Sequence, residues 1–146
     1  MSNLQQILLG SGLLASSAVI HVLAVALSLP LFKSVAGSVP DDRHPLRRVI
    51  VFLLLTLGVI LAAHTVQIWT WAAVFMLISD LPDFGTSFYF TTVTYTTLGY
   101  GDIVLGEGAR IVATFCAITG LLTFGISTAF LIGVLSKVLP DRFSEH

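Results

Sequence analysis

The sequence carries little charge and a single cysteine. Of its 146 residues, seven are Lys or Arg and eight are Asp or Glu, so 10% of the chain is charged, against about 25% in an ordinary soluble domain. So few charges cannot cover a folded soluble domain, and a net charge of −1 lacks the basic excess of a nucleic-acid binder. A soluble enzyme, a disordered chain and a nucleic-acid-binding protein are therefore excluded. The lone Cys116 also excludes a disulfide within one chain and any multi-cysteine metal site.

Hydrophobic residues, in contrast, make up 55% of the chain. They are concentrated in three stretches without Lys, Arg, Asp or Glu, which are residues 1–32, 49–79 and 111–136. A membrane core about 30 Å thick takes about 20 helical residues, so each stretch is long enough to cross it. Backbone groups in lipid must be satisfied within the segment, and the stretches lack the alternation of a β-barrel strand. The sequence therefore predicts an all-α membrane protein with three transmembrane helices.

Lysine and arginine set the expected orientation, because they are enriched in cytoplasmic loops. Six of the seven lie between the first two stretches or after the third, namely Lys33, Arg43, Arg47, Arg48, Lys137 and Arg142. Only Arg110 lies between the second and third stretches. We therefore expect a multi-pass cell-membrane protein, in a prokaryotic plasma membrane, with its N-terminus outside and its C-terminus cytoplasmic. The first stretch lacks the positive n-region of a signal peptide and is expected to persist as a helix.

Residues 80–110, between the second and third stretches, are too structured for a simple loop. Pro82 ends the preceding helix, and an uncharged, aromatic, threonine-rich stretch follows at 86–96. β-Propensity favours a strand here, but an isolated strand at a membrane has no partner, whereas a helix of this length spans about 16 Å, half a bilayer. The sequence therefore predicts a re-entrant helix. Four acidic residues flank it and are expected to attract cations, or in the first two cases to cap the helix: Asp80, Asp83, Asp102 and Glu107.

The next seven residues, 96–102, read Thr-Thr-Leu-Gly-Tyr-Gly-Asp. This stretch resembles the selectivity-filter signature of potassium channels, TTxGYGD, and it lies where that family has it, between a half-length segment and an apolar span. The resemblance covers residues 47–139 and implies a pore domain preceded by an additional helix. The implied segments are an N-terminal transmembrane helix 1–33, a cytoplasmic linker 34–46, an outer helix 47–79, a pore helix 86–96, a filter 97–101, an inner helix 110–139 and a cytoplasmic tail 140–146. One filter segment per chain implies a homotetramer with a tetrameric pore, because the ring must close around one axis.

Backbone carbonyls would form the ion site, because a K⁺ ion that loses its water needs an oxygen cage in its place. Successive carbonyls face one axis when left- and right-handed backbone alternate, and Gly99 and Gly101 allow positive φ at low cost. The resemblance assigns K⁺ to the carbonyls of Thr97, Leu98, Gly99 and Tyr100 and to the Thr97 hydroxyl, with Gly101 completing the filter. It assigns support of the filter to Thr96, Tyr89, Phe90 and Asp102.

One departure from the family pattern is visible. Some relatives carry a pore-helix acid that pairs with the filter aspartate, and the matching position here is Val93. A carboxyl pair that controls the filter is therefore in doubt.

One face of the third stretch is expected to line the pore, because its residues recur at helical spacing: Leu121, Gly125, Thr128, Ile132 and Leu135. By resemblance this face forms the cavity and the cytoplasmic gate. Thr128 would offer a hydroxyl to a hydrated ion, and Ile132 and Leu135 would form a hydrophobic constriction. Gly120 lies at the family's hinge position, but a glycine there also suits close packing between helices.

Several polar or small residues inside the apolar stretches have alternative roles. His21 and His64 are either pH-sensitive groups or neutral, hydrogen-bonded side chains. Gly12 and Ser16 have the spacing of close helix packing, or face lipid. Trp71, with Trp69 nearby, fits an aromatic belt at the outer interface.

The sequence also lacks several motifs that would indicate other functions. No stretch carries Arg or Lys at every third position, and no phosphate-binding motif, metal cluster or catalytic triad is present. We expect an ion channel and not an enzyme, with K⁺ as permeant ion and no cofactor. The expected partners are identical subunits and the bilayer, with anionic lipid at Arg47 and Arg48, and no nucleic acid. The alternatives are a weakly selective cation channel, a non-conducting accessory subunit, and a transporter, which would need four pore-loop repeats.

Overall fold

The computed structural model describes residues 1–38 and 45–138, and within these ranges the chain is helical without strands. The helices are α1 (Asn3–Ser38), α2 (Pro45–Ile78), α3 (Phe84–Tyr95) and α4 (Arg110–Val138). Three of them, α1, α2 and α4, are long and apolar enough to cross a membrane. The prediction of an all-α membrane protein with three membrane-length helices is confirmed. Arg43, Arg142 and the tail 140–146 lie outside the described residues.

Helix α1 packs along α4 through small and polar side chains. It runs through Pro30 and past Lys33 to Ser38, and it buries one face that consists of Gln6, Gly10, Ser17, His21, Ser28 and Phe32. A Cβ at Gly10 would collide with the ring of Phe115 on α4, whereas Gly12 is exposed with open space around it. Close helix packing therefore occurs at Gly10. Gly12 and Ser16 instead face outward, the second of the two positions considered for them from the sequence.

Contacts at both ends of the bundle fix the relative directions of the helices. At one end, the buried Gln6 side chain donates to the Glu107 carbonyl (2.8 Å) and accepts from the Ile111 amide (3.1 Å). At the other end, the Phe32 ring lies 5.9 Å from that of Phe52 and 5.8 Å from that of Phe130. Helices α1 and α4 therefore run in the same direction, and α2 runs in the opposite direction.

The short α3 begins at a side-chain cap and packs into the aromatic core. Asp83 has extended backbone and its carboxylate accepts from the Thr86 amide at 2.8 Å, which satisfies an otherwise unpaired N–H of the first turn. Trp71 is only 1% exposed and packs with Phe75 in the core, so its predicted place in an interfacial belt is wrong. A helix that is apolar all round carries no pattern that distinguishes its buried face from its lipid face.

Candidate functional site

The turn that follows α3 is held by the carbonyl oxygens at the end of that helix. The Val93 carbonyl accepts from the amides of both Leu98 (3.0 Å) and Gly99 (3.2 Å), and the Thr94 carbonyl accepts from the Thr97 amide (2.9 Å). These bonds use the N–H groups of the turn and also satisfy helix carbonyls that would otherwise lack a partner. Val93 therefore supports the turn through its backbone, a role that its side chain did not signal.

Backbone handedness alternates along the turn. Thr97 has φ of 59°, Gly99 of 57° and Gly101 of 78°, and the two residues between them do not have positive φ. The sequence predicted positive φ at the two glycines but not at Thr97, since a β-branched residue disfavours that conformation. Such alternation is the backbone pattern that turns successive carbonyls toward one side.

The carbonyls of residues 97–100 accept no hydrogen bond from any other residue in the described part of the chain. The side chains of the turn are also uncovered, with Tyr100 67% exposed and Leu98 56% exposed. A run of unpaired carbonyls on an exposed, highly bent backbone offers oxygen ligands for a cation or for water.

Tyr89 and Asp102 connect α3 to the outer end of the turn. The Tyr89 hydroxyl donates to Asp102 Oδ2 at 2.6 Å. This hydrogen bond to the carboxylate raises the pKa of Tyr89 above its ordinary value, because the carboxylate favours the protonated phenol. Val93, at the position where some relatives carry the pairing acid, cannot form a hydrogen bond with its side chain. Tyr89 bonds to the Asp102 carboxylate instead.

The other two residues predicted to support the filter, Phe90 and Thr96, bond or pack within the chain. Phe90 packs edge-on against Phe75 of α2, with 5.1 Å between ring centroids, and belongs to the buried core. The Thr96 hydroxyl donates to the Thr92 carbonyl at 2.7 Å. The structure therefore places Phe90 between α3 and α2, and Thr96 at the helix end.

The predicted pore-lining face of α4 is uncovered for most of its length. Leu121, Gly125, Thr128 and Ile132 are exposed and Leu135 is half-buried. The Thr128 hydroxyl donates to the Phe124 carbonyl at 2.9 Å, which leaves its lone pairs free toward the exposed side.

Gly120 is buried against Tyr95, the last residue of α3. A Cβ there would overlap the Tyr95 carbonyl oxygen, so close packing of α4 on α3 requires a glycine at this position. Gly125, by contrast, has open space around its Cα.

The acidic residues near the turn have different environments. Asp83 caps α3, and the Thr86 amide that it accepts from lowers its pKa. Glu107 forms an exposed ion pair with Arg110 at 3.8 Å, and such pairs contribute little to stability. The capping alternative is thus realised for Asp83, while Asp80 is exposed.

Three apolar, membrane-length helices and a short helix that ends in a carbonyl-rich turn define an integral membrane protein. The family model described as "Ion channel" matches residues 49–137, which contain α3, the turn and nearly all of α2 and α4. The chain belongs to this ion channel family. Its family is one of channels, as expected, and not of enzymes.

Curated relatives are potassium channels of greater length. Potassium voltage-gated channel subfamily A member 6 of Mus musculus is 36% identical over 78 residues, which cover 53% of this chain and 14% of the relative. Subfamily A member 7 of Homo sapiens is 32% identical over 88 residues, covering 60% and 19%, and subfamily A member 10 of Mus musculus is 45% identical over 49 residues, covering 33% and 9%. The chain thus spans less than a fifth of these relatives. The predicted kinship with potassium channel pore domains is confirmed, and no solved structure matches the chain significantly.

Proposed function

We propose that this chain is the pore-forming subunit of a K⁺-selective channel, through which K⁺ crosses the membrane passively. The observation that carries the proposal is the turn itself, with positive φ at every second residue from Thr97 to Gly101 and carbonyls free of hydrogen bonds within the described chain. Neutral, closely spaced oxygens replace the water of an entering K⁺ ion without binding it too tightly to leave. The ion would bind at the carbonyls of Thr97, Leu98, Gly99 and Tyr100.

Four copies of the chain would form the pore. One subunit carries one filter segment, and a ring around a single axis requires identical copies related by cyclic symmetry. The exposure of the turn in the single chain supports this assembly, because its carbonyls have no hydrogen-bond partner within the described chain and such groups cannot face lipid, so that they must line a water-filled space enclosed by protein. In the tetramer, Thr128 would face the cavity and Ile132 and Leu135 the gate.

The end of the bundle away from the turn would face the cytoplasm and contact anionic lipid. It carries Lys33, Arg47, Arg48 and Lys137, whereas the acidic residues Asp80, Asp83, Asp102 and Glu107 flank the turn at the other end. This asymmetry matches the enrichment of Lys and Arg on the cytoplasmic side. An apolar crevice of about 570 Å³ opens there between α1, α2 and α4, with the two lysines among its lining residues. The crevice suits an acyl chain whose anionic headgroup meets the lysines, at the end of the bundle that also carries Arg47 and Arg48.

Flux through purified protein tests the proposal. The full chain is reconstituted into liposomes, and K⁺ and Na⁺ fluxes are measured for the unaltered protein and for Gly99→Ala, with Gly12→Ala as a matched glycine control in open space. We expect K⁺-selective flux in the unaltered and control proteins and its loss in Gly99→Ala, because a Cβ strains positive φ. Equal K⁺ and Na⁺ flux would instead indicate a weakly selective cation channel. A tetramer without flux would indicate an accessory subunit.

A further inference from the structure

A buried polar cluster joins all four helices directly behind the turn. It consists of His21 from α1, His64 and Gln67 from α2, Tyr95 from α3, and Thr123 and Ser127 from α4. All six side chains are buried, and each is hydrogen-bonded to at least one other member. We call this set the histidine cluster. The two histidines were recognisable from the sequence, whereas Tyr95, Thr123 and Ser127 were not.

The hydroxyl of Thr123 on α4 determines where the protons of the cluster lie. The Thr123 hydroxyl lies 2.8 Å from the Thr119 carbonyl oxygen, which can only accept, so Thr123 donates there. The Thr123 oxygen must then accept from the Tyr95 hydroxyl, 2.7 Å away. The Tyr95 proton is used in that bond and not in the longer contact with Gln67 Oε1 at 3.4 Å, so the Tyr95 oxygen accepts from His64 Nδ1 at 2.9 Å. The proton of a neutral His64 is therefore on Nδ1.

The chain of hydrogen bonds continues from His64 to His21 and Gln67. His64 Nε2, without a proton, accepts from the Ser127 hydroxyl at 3.1 Å, and the Ser127 oxygen accepts from His21 Nε2 at 3.0 Å. His21 Nδ1 is then an acceptor, and it lies 2.8 Å from Gln67 Nε2, which can only donate. The Gln67 amide nitrogen at one end and the Thr119 carbonyl oxygen at the other agree with the same direction. Every bond along the chain from Gln67 Nε2 to the Thr119 carbonyl is satisfied when both imidazole rings are neutral.

An added proton would break at least one bond of this arrangement. On His64 Nε2 it would oppose the Ser127 proton, and on His21 Nδ1 it would oppose the Gln67 amide. The titratable groups that each helix presents to the cluster or the adjoining core are His21 from α1, His64 from α2, Tyr95 from α3 and Cys116 from α4. No carboxylate among the described residues bonds to either ring, so a buried imidazolium would lack a counterion. The two rings lie only 5.1 Å apart, so that two charges would also repel each other.

The position of Tyr95 connects the cluster with the turn. Tyr95 is the last residue of α3, two positions before Thr97, and its own carbonyl packs on Gly120 of α4. Its hydroxyl is bonded to α2 through His64 and to α4 through Thr123. Loss of these bonds would release the base of the turn from the helix predicted to form the gate.

We propose that His21 and His64 are positioning residues, which hold Tyr95 and thereby the inner end of the filter against α4 while both rings are neutral, and that acid pH releases this hold and lowers K⁺ flux. The proposal rests on the proposed function for its flux readout. The arrangement of protons in the cluster does not depend on conduction.

The first test measures protons directly. The full chain, labelled with ¹⁵N at histidine and placed in bilayers, is examined by NMR at about pH 8, above the ordinary histidine pKa of about 6.5. We expect the Nδ1–H tautomer for His64 and the Nε2–H tautomer for His21, assigned by the single variants His64→Gln and His21→Gln. The opposite tautomer at either ring would overturn the proposal. This readout holds whether or not the protein conducts.

The second test measures K⁺ flux in liposomes between about pH 8 and about pH 5, where we expect a decrease of about tenfold in the unaltered protein. In Tyr95→Phe, which keeps the ring and removes only the hydroxyl, and in His64→Gln, we expect a decrease of less than about twofold. His44→Gln, outside the described residues, is the matched histidine control and should retain the full response. A full acid response in folded Tyr95→Phe and His64→Gln would overturn the proposal. If the unaltered protein has the expected tautomers but no selective flux at about pH 8, that result would count against the proposed function alone.

Discussion

The Tyr89 hydroxyl lies 2.6 Å from the Asp102 carboxylate, and this hydrogen bond ties α3 to the outer end of the turn. The same contact raises the pKa of Tyr89. A group with a raised pKa contributes its stabilisation below the ordinary value, here about 10 for tyrosine, and loses it as the pH rises through the raised value. Tyr89 therefore keeps its proton and donates this bond at neutral pH.

Removing the Asp102 charge should return the pKa of Tyr89 toward its ordinary value. Absorbance of tyrosinate is followed through alkaline pH for the unaltered protein and for Asp102→Asn, each against a matching Tyr89→Phe background that isolates the Tyr89 signal. Glu107→Gln removes a nearby carboxylate that pairs with Arg110 instead, and it should leave the Tyr89 titration unchanged. Identical titration of Tyr89 in the unaltered protein and in Asp102→Asn would contradict the prediction.

Replacement of Asp83 should weaken α3 in a pH-dependent way. The Thr86 amide lowers the pKa of Asp83, so the cap contributes stability above the ordinary carboxyl value and loses it as the pH falls through the lowered value. We expect Asp83→Ala to lower the thermal midpoint at neutral pH and the difference to become smaller in strong acid, while Asp83→Asn, which still accepts the amide proton, changes it less. Asp80→Ala removes an exposed neighbouring carboxylate and is the control. A deficit in Asp83→Ala that is as large in strong acid as at neutral pH would exclude this explanation.

Gly120 and Gly125 should respond oppositely to alanine. At Gly120 the added Cβ overlaps the Tyr95 carbonyl oxygen, and overpacking of this kind costs about 1–3 kcal/mol. At Gly125 the space is open, so alanine should raise the free energy of unfolding by up to about 1 kcal/mol through helix propensity. Denaturation in mixed micelles measures both. If Gly120 serves only as a hinge, Gly120→Ala and Gly125→Ala will have the same free energy of unfolding, and Gly120→Ala will differ only in its K⁺ flux.

Leucine at Gly10 should separate α1 from α4, whereas leucine at Gly12 should not. The Cβ of residue 10 would collide with the Phe115 ring, but the Cβ of residue 12 meets nothing within 4 Å. We expect Gly10→Leu to lower the free energy of unfolding by about 1–3 kcal/mol and Gly12→Leu to leave it within about 0.5 kcal/mol. Protease accessibility of α1 in liposomes gives a second readout. Equal behaviour of the two variants would show that α1 does not depend on this contact.

The parts of the fold that were predictable depend on local properties. Three uncharged runs require membrane-length helices in lipid whatever their neighbours are, and glycine at 99 and 101 permits a backbone that few other residues adopt. The helix ends agree less well, because α1 continues through Pro30 to Ser38. Tertiary contacts stabilise helices beyond their local propensity.

Features that depend on tertiary neighbours were not predictable. Positive φ at Thr97 runs against its own preference and accompanies amide bonds of the turn to carbonyls near the end of α3. Trp71 lies in the core because α3 covers that side of α2, and nothing in an apolar helix indicates which side is covered. The two histidines were recognisable as unusual, but Ser127, which bonds to both, looks like any small residue of a membrane helix.

Helix α1 is attached to α4 at three heights, through Gln6 at the start of α4, through His21 and Ser127 near its middle, and through Phe32 and Phe130 near its end. These three contacts prevent α4 from bending without α1, because any curvature of α4 changes the distances between the contacts. Motion of α4 must therefore carry α1 with it or break an attachment. Because α1 presents most of its surface outward, the surrounding bilayer would exert force directly on the helix that stiffens the predicted gate.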